Sequence, residues 1–449
     1  MDQPTLFEVP GPEGSQPSPE PGAGRPRLRC ANRRQREWLE CCLEELLPED
    51  HRARVVWQFA QGLNLEPLYE AILAVEGHAG RPTADPRILV TLWLYATLEG
   101  VGAARQLDRL CEEHVAYRWI CGGVSMNYHT LSDFRIDHAD VLDQLLTQSV
   151  ATLIHEDLVT LKKVAQDGIR VRASAGASSF HRRETLEQCL AEAEAQVQAL
   201  RAEVEADPSS GNRREQAARE RAARERAQRV AQALENLKEV EEKKQARGRN
   251  SLKHPARAST TDPEARKMKM ADGGFRPAFN GQFATDVDTQ VIVGVEVTNA
   301  GNDGGQMQPM IEQIEQRYAR RPEAALVDGG FVNLEEIEEV ERNGTEVYAP
   351  LKDEAKKQEA GEDPFAARKG DTPAVVRWRQ RMGTEEGQRI YRERAATAEC
   401  VNAIARNRGL QQFRVRGMAK VRAVLLWFAL AHNLMRTVTL RAEAGDKVN

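Results

Sequence analysis

The sequence predicts an all-α N-terminal domain followed by an α/β domain with a mixed β-sheet, into which a helical hairpin is inserted. Three observations lead to this prediction. Residues 28–155 carry apolar side chains at helical spacing. After them, strand and helix patterns alternate, as in an α/β sheet. Two long helical runs within residues 184–247 interrupt this alternation just after its first strand.

The composition is that of a soluble globular protein with roughly two to four domains. Charged residues make up 29% and hydrophobic residues 41% of the 449 residues. None of the seven cysteines forms a C-x-x-C pair, which indicates a reducing compartment and argues against disulfides or a cysteine-based zinc site. No secretory signal is present, and the apolar run 423–431 is too short to span a bilayer. We therefore expect a cytoplasmic protein.

The N-terminal part begins with residues 1–27, whose seven prolines predict a disordered tail. Asp85 followed by Pro86 is a favoured helix start, with Asp as N-cap and Pro at the first helical position. The predicted helices of this domain cover about 33–48, 52–63, 67–75, 86–99, 103–113 and 130–154. Polar side chains predicted to be exposed are Arg105, Arg109, Arg118, Tyr128, His129, Ser132 and Arg135. Such arginines favour a DNA-binding domain, although a plain helical bundle explains them equally well.

The first strand of the α/β domain covers residues 162–172, in which Val164, Ile169 and Val171 are interleaved with polar residues. Asp167 lies in the middle of this strand. A carboxylate this close to a core needs a partner, because an unpaired buried charge is costly. The partner is either an arginine, which makes Asp167 structural, or a divalent cation, which makes it a ligand.

The helical hairpin and the strands after it complete the chain. Residues 184–204 and 213–247 form the two helices of the hairpin, joined by the turn cluster 207–212. The elements predicted next are a β-hairpin at 276–299, a helix at 303–320, a strand at 324–327, a helix at 333–343, a strand at 346–350, a mobile loop at 352–375, and helices at 384–408 and 421–441. Residues 442–449 are predicted to be a tail.

Two further carboxylates stand at positions where α/β folds carry chemistry. Asp328 follows a short apolar strand and precedes two glycines, which permit close approach of a ligand. Its structural alternative is a helix cap, although Asn333 is better placed for that role. Glu399 lies on a helix with arginines on the same face, so it either forms ion pairs or binds a metal beside a phosphate.

Local charge indicates a polyanionic partner. Between residues 376 and 422 the sequence has 12 Arg and Lys but 4 Asp and Glu, within a protein of net charge −5. Such a block suits nucleic acid. Two Asp and one Glu are oxygen ligands suited to Mg²⁺ or Mn²⁺, and two such ions catalyse in-line phosphoryl displacement.

The chain resembles the DDE transposases of bacterial insertion sequences, and the likeness covers most of the chain after about residue 35. In the N-terminal domain, D-P-R-I-L-V-T-L-W-L-Y-A-T-L-E-G-V and L-S-D-F-R are similar to the InsH type. The core motifs are V-A-Q-D-G-I-R-V-R-A-S-A-G, S-T-T-D-P-E-A-R-K-M-K, F-N-G-Q-F-A-T-D, A-L-V-D-G-G-F, R-M-G-T-E-E-G-Q-R-I-Y-R-E-R, R-G-M-A-K-V and A-H-N-L-M-R. Their order and spacing together are specific.

The resemblance implies an RNase-H-like catalytic domain over 156–441, with Asp167, Asp328 and Glu399 as a triad that binds two Mg²⁺ or Mn²⁺ ions. It also implies a Tyr, Arg, Glu, Lys signature, which Tyr391, Arg394, Glu399 and Arg406 match with two departures. Arg406 replaces the lysine, and four residues rather than three separate Arg394 from Glu399, which makes Arg392 a rival of Arg394. The residues predicted to contact DNA are Tyr391, Arg392, Arg394, Arg406, Arg416 and Lys420.

The implied function is a DNA transposase that cuts at element ends and joins them to target DNA. Its implied partner is double-stranded DNA, to which it binds as a homo-oligomer, and its implied location is the bacterial nucleoid. Two alternatives remain open from the sequence: a metal-dependent nuclease without strand transfer, and a catalytically inactive DNA-binding protein. A coiled-coil scaffold would explain only residues 184–247.

Overall fold

The computed structural model describes residues 42–74, 82–206, 212–246 and 255–446. Its N-terminal part is helical, as predicted. A 3₁₀ turn at Leu43–Leu46 precedes helices α1 Arg52–Gln61, α2 Glu66–Glu70, α3 Pro86–Leu98, α4 Ala104–Glu113, α5 Val115–Cys121, α6 Tyr128–Asp137 and α7 Ala139–His155. The predicted tail 1–27 and most of the predicted helix 33–48 lie outside the described residues. Helix α5 was not predicted, and the predicted helix 130–154 is divided at His138.

Two side chains of the N-terminal region show where the sequence prediction held and where it failed. Asp85 accepts a hydrogen bond from the Arg87 backbone N–H and caps α3 as predicted. Arg135, predicted to be exposed, is buried. Its guanidinium lies over the Trp93 ring at 4.9 Å from the centroid, and it donates to the Gly102 carbonyl. Arg135 therefore stabilises the fold through a cation–π contact and is not available to DNA.

A six-stranded mixed sheet forms the centre of the molecule. Its strands are β1 Lys163–Arg172, β4 Arg266–Lys269, β5 Phe275–Asp286, β6 Ile292–Thr298, β7 Ala324–Leu326 and β8 Glu346–Tyr348. Strand β5 pairs antiparallel with β1, and both β4 and β6 pair with β5. Strands β1, β7 and β8 run parallel in that order. A helical region followed by this mixed sheet is consistent with the RNase-H-like core that the resemblance implies.

One face of the sheet is covered by helix α16, Met418–Asp446, on which the N-terminal helices pack. Phe428 of α16 stacks near Phe283 of β5, with ring centroids 5.4 Å apart. On its other side, Trp427 donates to the Arg135 carbonyl at 3.0 Å. One continuous hydrophobic cluster therefore extends from Leu47 to Leu440. The domain boundary at residues 155/156 remains a prediction, since the core runs through it.

Helix α16 differs from its prediction in length and resembles a membrane span only in composition. It continues to Asp446, so most of the predicted tail 442–449 is helical. Among the described helices, it alone is long and apolar enough to cross a membrane, and 72% of its apolar window is buried inside the protein. Asp262 and Glu264 accept hydrogen bonds from the backbone N–H groups of Gly417 and Met418 and so stabilise its start.

The parallel strands pack on the remaining helices through a second hydrophobic cluster, which includes Leu326, Ile337 and Trp378. These helices are α10 Met307–Tyr318, α11 Leu334–Arg342 and α13 Pro373–Met382. The short helix α12 Glu354–Glu359, which follows α11, has no buried residue. Segment 352–375, predicted to be a mobile loop, contains α12 and the start of α13. Pro373 favours that start because it occupies the first helical position, where no donor is lost.

Two long helices, α8 Arg183–Ala206 and α9 Arg213–Ala246, occupy the segment predicted to be a helical hairpin. They run antiparallel, because Arg183 pairs with Glu241 while Arg201 pairs with Glu220. Leu186, Ala233 and Leu237 are buried between them. Short strands β2 Phe180–His181 and β3 Ala258–Ser259 pair with each other at the hairpin base. The chain thus leaves and re-enters the sheet domain at one place; that the hairpin is an insertion into a family core remains a prediction.

The predicted helix 384–408 consists of three successive helical segments. Helix α14 covers Glu385–Arg394, a π-helical turn covers Ala395–Glu399, and helix α15 covers Cys400–Asn407. All three follow one another without a break in the chain. The π turn carries Glu399 and places it near the sheet.

Candidate active site

Asp167 lies in the middle of β1 with 18% of its side chain exposed. Its Oδ1 accepts a hydrogen bond from the Gly168 backbone N–H, and its Oδ2 accepts one from Asn402 Nδ2, each at 2.9 Å. Burial raises the pKa of Asp167 to about 6; the Arg394 guanidinium opposes this rise, and the Asp328 charge adds to it. Asp167 is therefore held in a fixed orientation in a place that disfavours its charge.

Asp328 follows β7, the parallel neighbour of β1. The register pairs Val164 with Ala325 and Ala165 with Leu326, so Asp167 and Asp328 follow these pairs at equal distances along the two strands. Asp328 Oδ1 accepts from the Gly330 backbone N–H at 2.8 Å and caps the short 3₁₀ turn Gly329–Phe331. The predicted alternative, a cap for the next helix, is excluded because Asn333 caps α11.

Glu399 is linked to Asp167 through Arg394. Arg394 Nη2 donates to Glu399 Oε1 at 2.6 Å, and its Nη1 lies 3.9 Å from Asp167 Oδ2. The Arg394 side chain is 12% exposed, while that of Glu399 is 54% exposed. The Tyr391 ring centroid lies 6.0 Å from the Arg394 guanidinium. The guanidinium therefore occupies the space between two of the predicted catalytic carboxylates.

The pKa of Tyr391 links Asp328 to the same cluster. Burial raises this pKa, the Arg394 charge lowers it, and the charges of Asp328 and Glu399 raise it further. The charges of both carboxylates therefore affect the pKa of Tyr391. Asp167 of strand β1 and Glu399 of the π turn contact Arg394, whereas Asp328 at the end of β7 is linked to them through the effect of its charge on the pKa of Asp167 and Tyr391.

Asn402 is a site residue that the sequence prediction did not include. It is buried, donates to Asp167, and leaves its Oδ1 buried without a hydrogen-bond partner. A buried acceptor without a partner is unusual in a native protein. Its position three residues after Glu399 places it on the face of the helix that points to the sheet. That spacing was the signal that could have identified it.

The donor chemistry of the site fits Mg²⁺ or Mn²⁺, since three carboxylates supply only oxygen ligands. Among the described residues, no group of three His, Cys, Asp or Glu side chains lies close enough together to hold a metal ion. Asp167 and Glu399 are instead joined through the Arg394 guanidinium.

The residues predicted to contact DNA differ in exposure. Arg392, Arg406, Arg416 and Lys420 are exposed, whereas Tyr391 and Arg394 are half-buried. Arg392 donates to the Gln388 carbonyl at 3.2 Å and has no ion pair with a carboxylate among the described residues. Arg416 donates to the Ser174 carbonyl at 3.3 Å. Of the two rival arginines, Arg394 is the one that contacts the carboxylates.

The raised pKa of Asp167 predicts a pH-dependent stability in the absence of divalent cations. The pKa of Asp167 in the folded state, about 6, exceeds the ordinary aspartate pKa of 3.8, so the folded state binds this proton more tightly than the unfolded state. The contribution of Asp167 to the free energy of unfolding therefore falls as pH rises from about 4 to about 6. We expect Asp167→Asn to be more stable than the wild type at pH 7, by about 1–3 kcal/mol, as measured by urea unfolding in EDTA.

At pH 4 the two proteins should differ much less, because the wild-type carboxyl is then largely protonated. Equal stability of the variant and the wild type at pH 7 would show that burial of the charged Asp167 carboxylate does not lower the free energy of unfolding.

Two regions of the chain match protein-family models. Residues 251–434 match the family model described as a transposase DDE domain, and residues 41–137 match the one described as a transposase domain, DUF772. The first match contains Asp328 and Glu399 but begins after the strand with Asp167. No curated protein and no solved structure matches the chain.

The helical region, the mixed sheet and these matches support a transposase. Within that class, the two matched models support a DDE transposase of an insertion sequence. The finer likeness of its N-terminal region to the InsH type remains a prediction.

Proposed function

We propose that this transposase cuts DNA at the ends of an insertion sequence and joins them to target DNA by phosphoryl transfer. The observation that carries the proposal is the position of Arg394, which contacts the carboxylates of both Asp167 and Glu399. Arg394 is the arginine partner that the sequence left open for Asp167, and the acidic side chains around it are oxygen donors of the kind that divalent cations take.

In this proposal, Asp167, Asp328 and Glu399 hold two Mg²⁺ or Mn²⁺ ions. Such ions activate a water or a 3′-hydroxyl and stabilise the leaving oxygen of an in-line displacement. Asn402 keeps the Asp167 carboxylate oriented through its 2.9 Å hydrogen bond. Arg394 would be free to bind a DNA phosphate if such ions took its place between the carboxylates, and its forked guanidinium suits that role.

The proposed DNA contacts lie on the segment from α14 to the start of α16. Arg392, Arg406, Arg416 and Lys420 are exposed there, and Tyr391 lies beside Arg394. We propose that the N-terminal helical region provides a second DNA-binding surface through Arg105, Arg109 and Arg118. We further propose that the protein pairs two element ends as a homo-oligomer and acts at the nucleoid.

An end-labelled DNA duplex that carries the element terminus separates the candidate functions. A transposase yields cut ends and also joined products with an unlabelled target in the presence of Mg²⁺. A nuclease yields cut ends without joined products. An inactive DNA-binding protein shifts the duplex in a gel but cuts nothing, and this result would contradict the proposal.

A further inference from the structure

The π turn Ala395–Glu399 directly follows Arg394 and precedes Asn402, which contacts Asp167. In a regular α-helix each residue advances by about 100°, so residues five apart point about 140° away from each other. Arg394 and Glu399 are five apart, yet they are joined by a 2.6 Å hydrogen bond. The π turn makes this contact possible because it contains one more residue per turn than an α-helix.

The π turn is held by specific hydrogen bonds. Gln290, in the connection between β5 and β6, donates from Nε2 to the Ala396 carbonyl at 3.0 Å. Thr397 is buried and its Oγ1 donates to the Glu393 carbonyl at 2.9 Å. A carbonyl displaced from regular helical bonding thus receives a donor from outside the helix. The turn is held by its surroundings and is not a frayed helix end.

We propose that this π turn is a positioning device that sets the register of the helix, so that Arg394 before it, Glu399 at its last position and Asn402 after it reach the same cluster around Asp167. The inference rests on the proposed function, because it concerns the same site. Within regular helix, the four residues between Arg394 and Glu399 would turn Glu399 away from Arg394. The π turn absorbs one of them.

Removal and addition of a single residue at this turn test the proposal. Deletion of Ala396, which is exposed, lets the turn close into regular α-helix and leaves Arg394 and Glu399 four apart, still on one face. We expect this deletion to keep DNA cleavage within about tenfold of the wild type. Insertion of one alanine between Ala396 and Thr397 adds about 100° of rotation, and cleavage should fall by more than about 10³-fold.

The two variants differ only in whether one residue is removed from the turn or added to it. A deletion variant that fails to fold, or that loses as much cleavage as the insertion, would contradict the proposal. An insertion variant with normal cleavage would contradict it too.

A measurement without catalysis separates this inference from the proposed function. A double-mutant cycle with Arg394→Gln and Glu399→Gln, read from urea unfolding in EDTA, should give a coupling in the wild type and in the deletion variant but none in the insertion variant. If the wild type cuts no DNA but these couplings are observed, the proposed transposase function is contradicted and the proposed role of the π turn is supported. Loss of the coupling in the deletion variant overturns the device alone.

A second inference comes from an open cleft at the base of the hairpin, lined by Arg182, Lys243, Lys244, Arg257, Arg266 and Lys267 and by no Asp or Glu among the described residues. Lys243 and Arg266 share Glu239. Arg182, Arg257 and Lys267 are exposed and have no carboxylate partner in the described part of the chain. On α9, five basic side chains have such a partner, namely Arg219, Arg224, Arg229, Lys238 and Lys243.

We propose that this cleft, which we call the hairpin-base cleft, binds the phosphate backbone of DNA outside the catalytic site. Several unpaired cations in one concave surface attract a polyanion and displace its counterions on binding. The surface gives the hairpin a role, because Arg182 precedes α8 and Lys243 lies near the end of α9. The inference rests on the proposed function to the extent that it requires a DNA substrate.

The dependence of DNA affinity on salt tests the hairpin-base cleft. The triple variant Arg182→Ser, Arg257→Ser, Lys267→Ser should bind a duplex with a log–log salt slope that is shallower by about 2–3. The matched control is Arg213→Ser, Arg214→Ser, Arg221→Ser, which removes three exposed arginines from the start of α9 and should leave the slope unchanged.

Equal slopes for the cleft variant and the wild type would overturn the inference, as would equal losses in the cleft variant and its control. Cleavage by the wild-type protein, measured on the same duplex, is independent of this result. Failure of the cleft therefore does not count against the transposase function.

Discussion

Asp167→Asn, Asp328→Asn and Glu399→Gln are each expected to reduce DNA cleavage by at least about 10³-fold, which corresponds to about 4 kcal/mol of transition-state stabilisation. Each substitution keeps the shape of the side chain and removes a negative charge that holds a divalent cation in the proposed mechanism. DNA affinity should remain within a few-fold of the wild type, because none of the three is a cation that contacts phosphate. The measurement is single-turnover cleavage of a labelled end, together with a binding titration.

Glu386→Gln is a suitable control on the same helical segment. Glu386 is exposed and pairs with Arg389 on the surface of α14, so its loss should leave cleavage unchanged. If any one of the three site variants cleaves as fast as this control, that residue does not belong to the catalytic triad.

Gly168→Ala is expected to destabilise the protein by about 3 kcal/mol or more and to inactivate it. A Cβ at this position would lie 2.3 Å from Asp303 Oδ1 and 2.8 Å from both Asn280 Oδ1 and Gln282 Nε2. These three polar side chains are buried and bonded to one another, since Asp303 Oδ1 accepts from Asn280 and Gln282 at 2.7 Å. Strand β1 must shift to make room, and Asp167 shifts with it.

Gly301→Ala provides the matched comparison, because a Cβ there meets no atom within 4 Å. Urea unfolding should show little change for this variant and a large loss for Gly168→Ala. A Gly168→Ala protein with wild-type stability would mean that the polar cluster rearranges at little cost.

The sequence was sufficient for the parts of the fold that depend on regular periodicity. The alternating pattern of residues 276–299 predicted the hairpin that β5 and β6 form, and the apolar run ending before Asp328 predicted β7. The cap at Asn333 followed from its residue type and position. Asp167 and Asp328 were predicted from the positions of their strands, which is why their neighbouring placement on β1 and β7 could be anticipated.

Other features depend on contacts between distant residues and could not be predicted. Strand β4 is short and pairs at the edge of β5, so its four residues give little periodic signal. Arginine usually lies at the surface, but Arg135 is buried and its guanidinium packs over the Trp93 ring. The π turn leaves no mark in residue spacing beyond one extra residue, and its partner Gln290 comes from another part of the chain.

The position of α16 in the core has a consequence for synthesis of the chain. Helices α3, α6 and α7 bury their apolar faces against this last helix, which begins at Met418, long after α7 ends at His155. At about 5–20 residues per second, a ribosome needs more than about ten seconds to make the intervening segment. During that time the N-terminal helices lack their main packing partner. A chain terminated before Met418 therefore lacks the helix that buries the apolar faces of α3, α6 and α7, and its N-terminal region should be less stable than in the full-length chain.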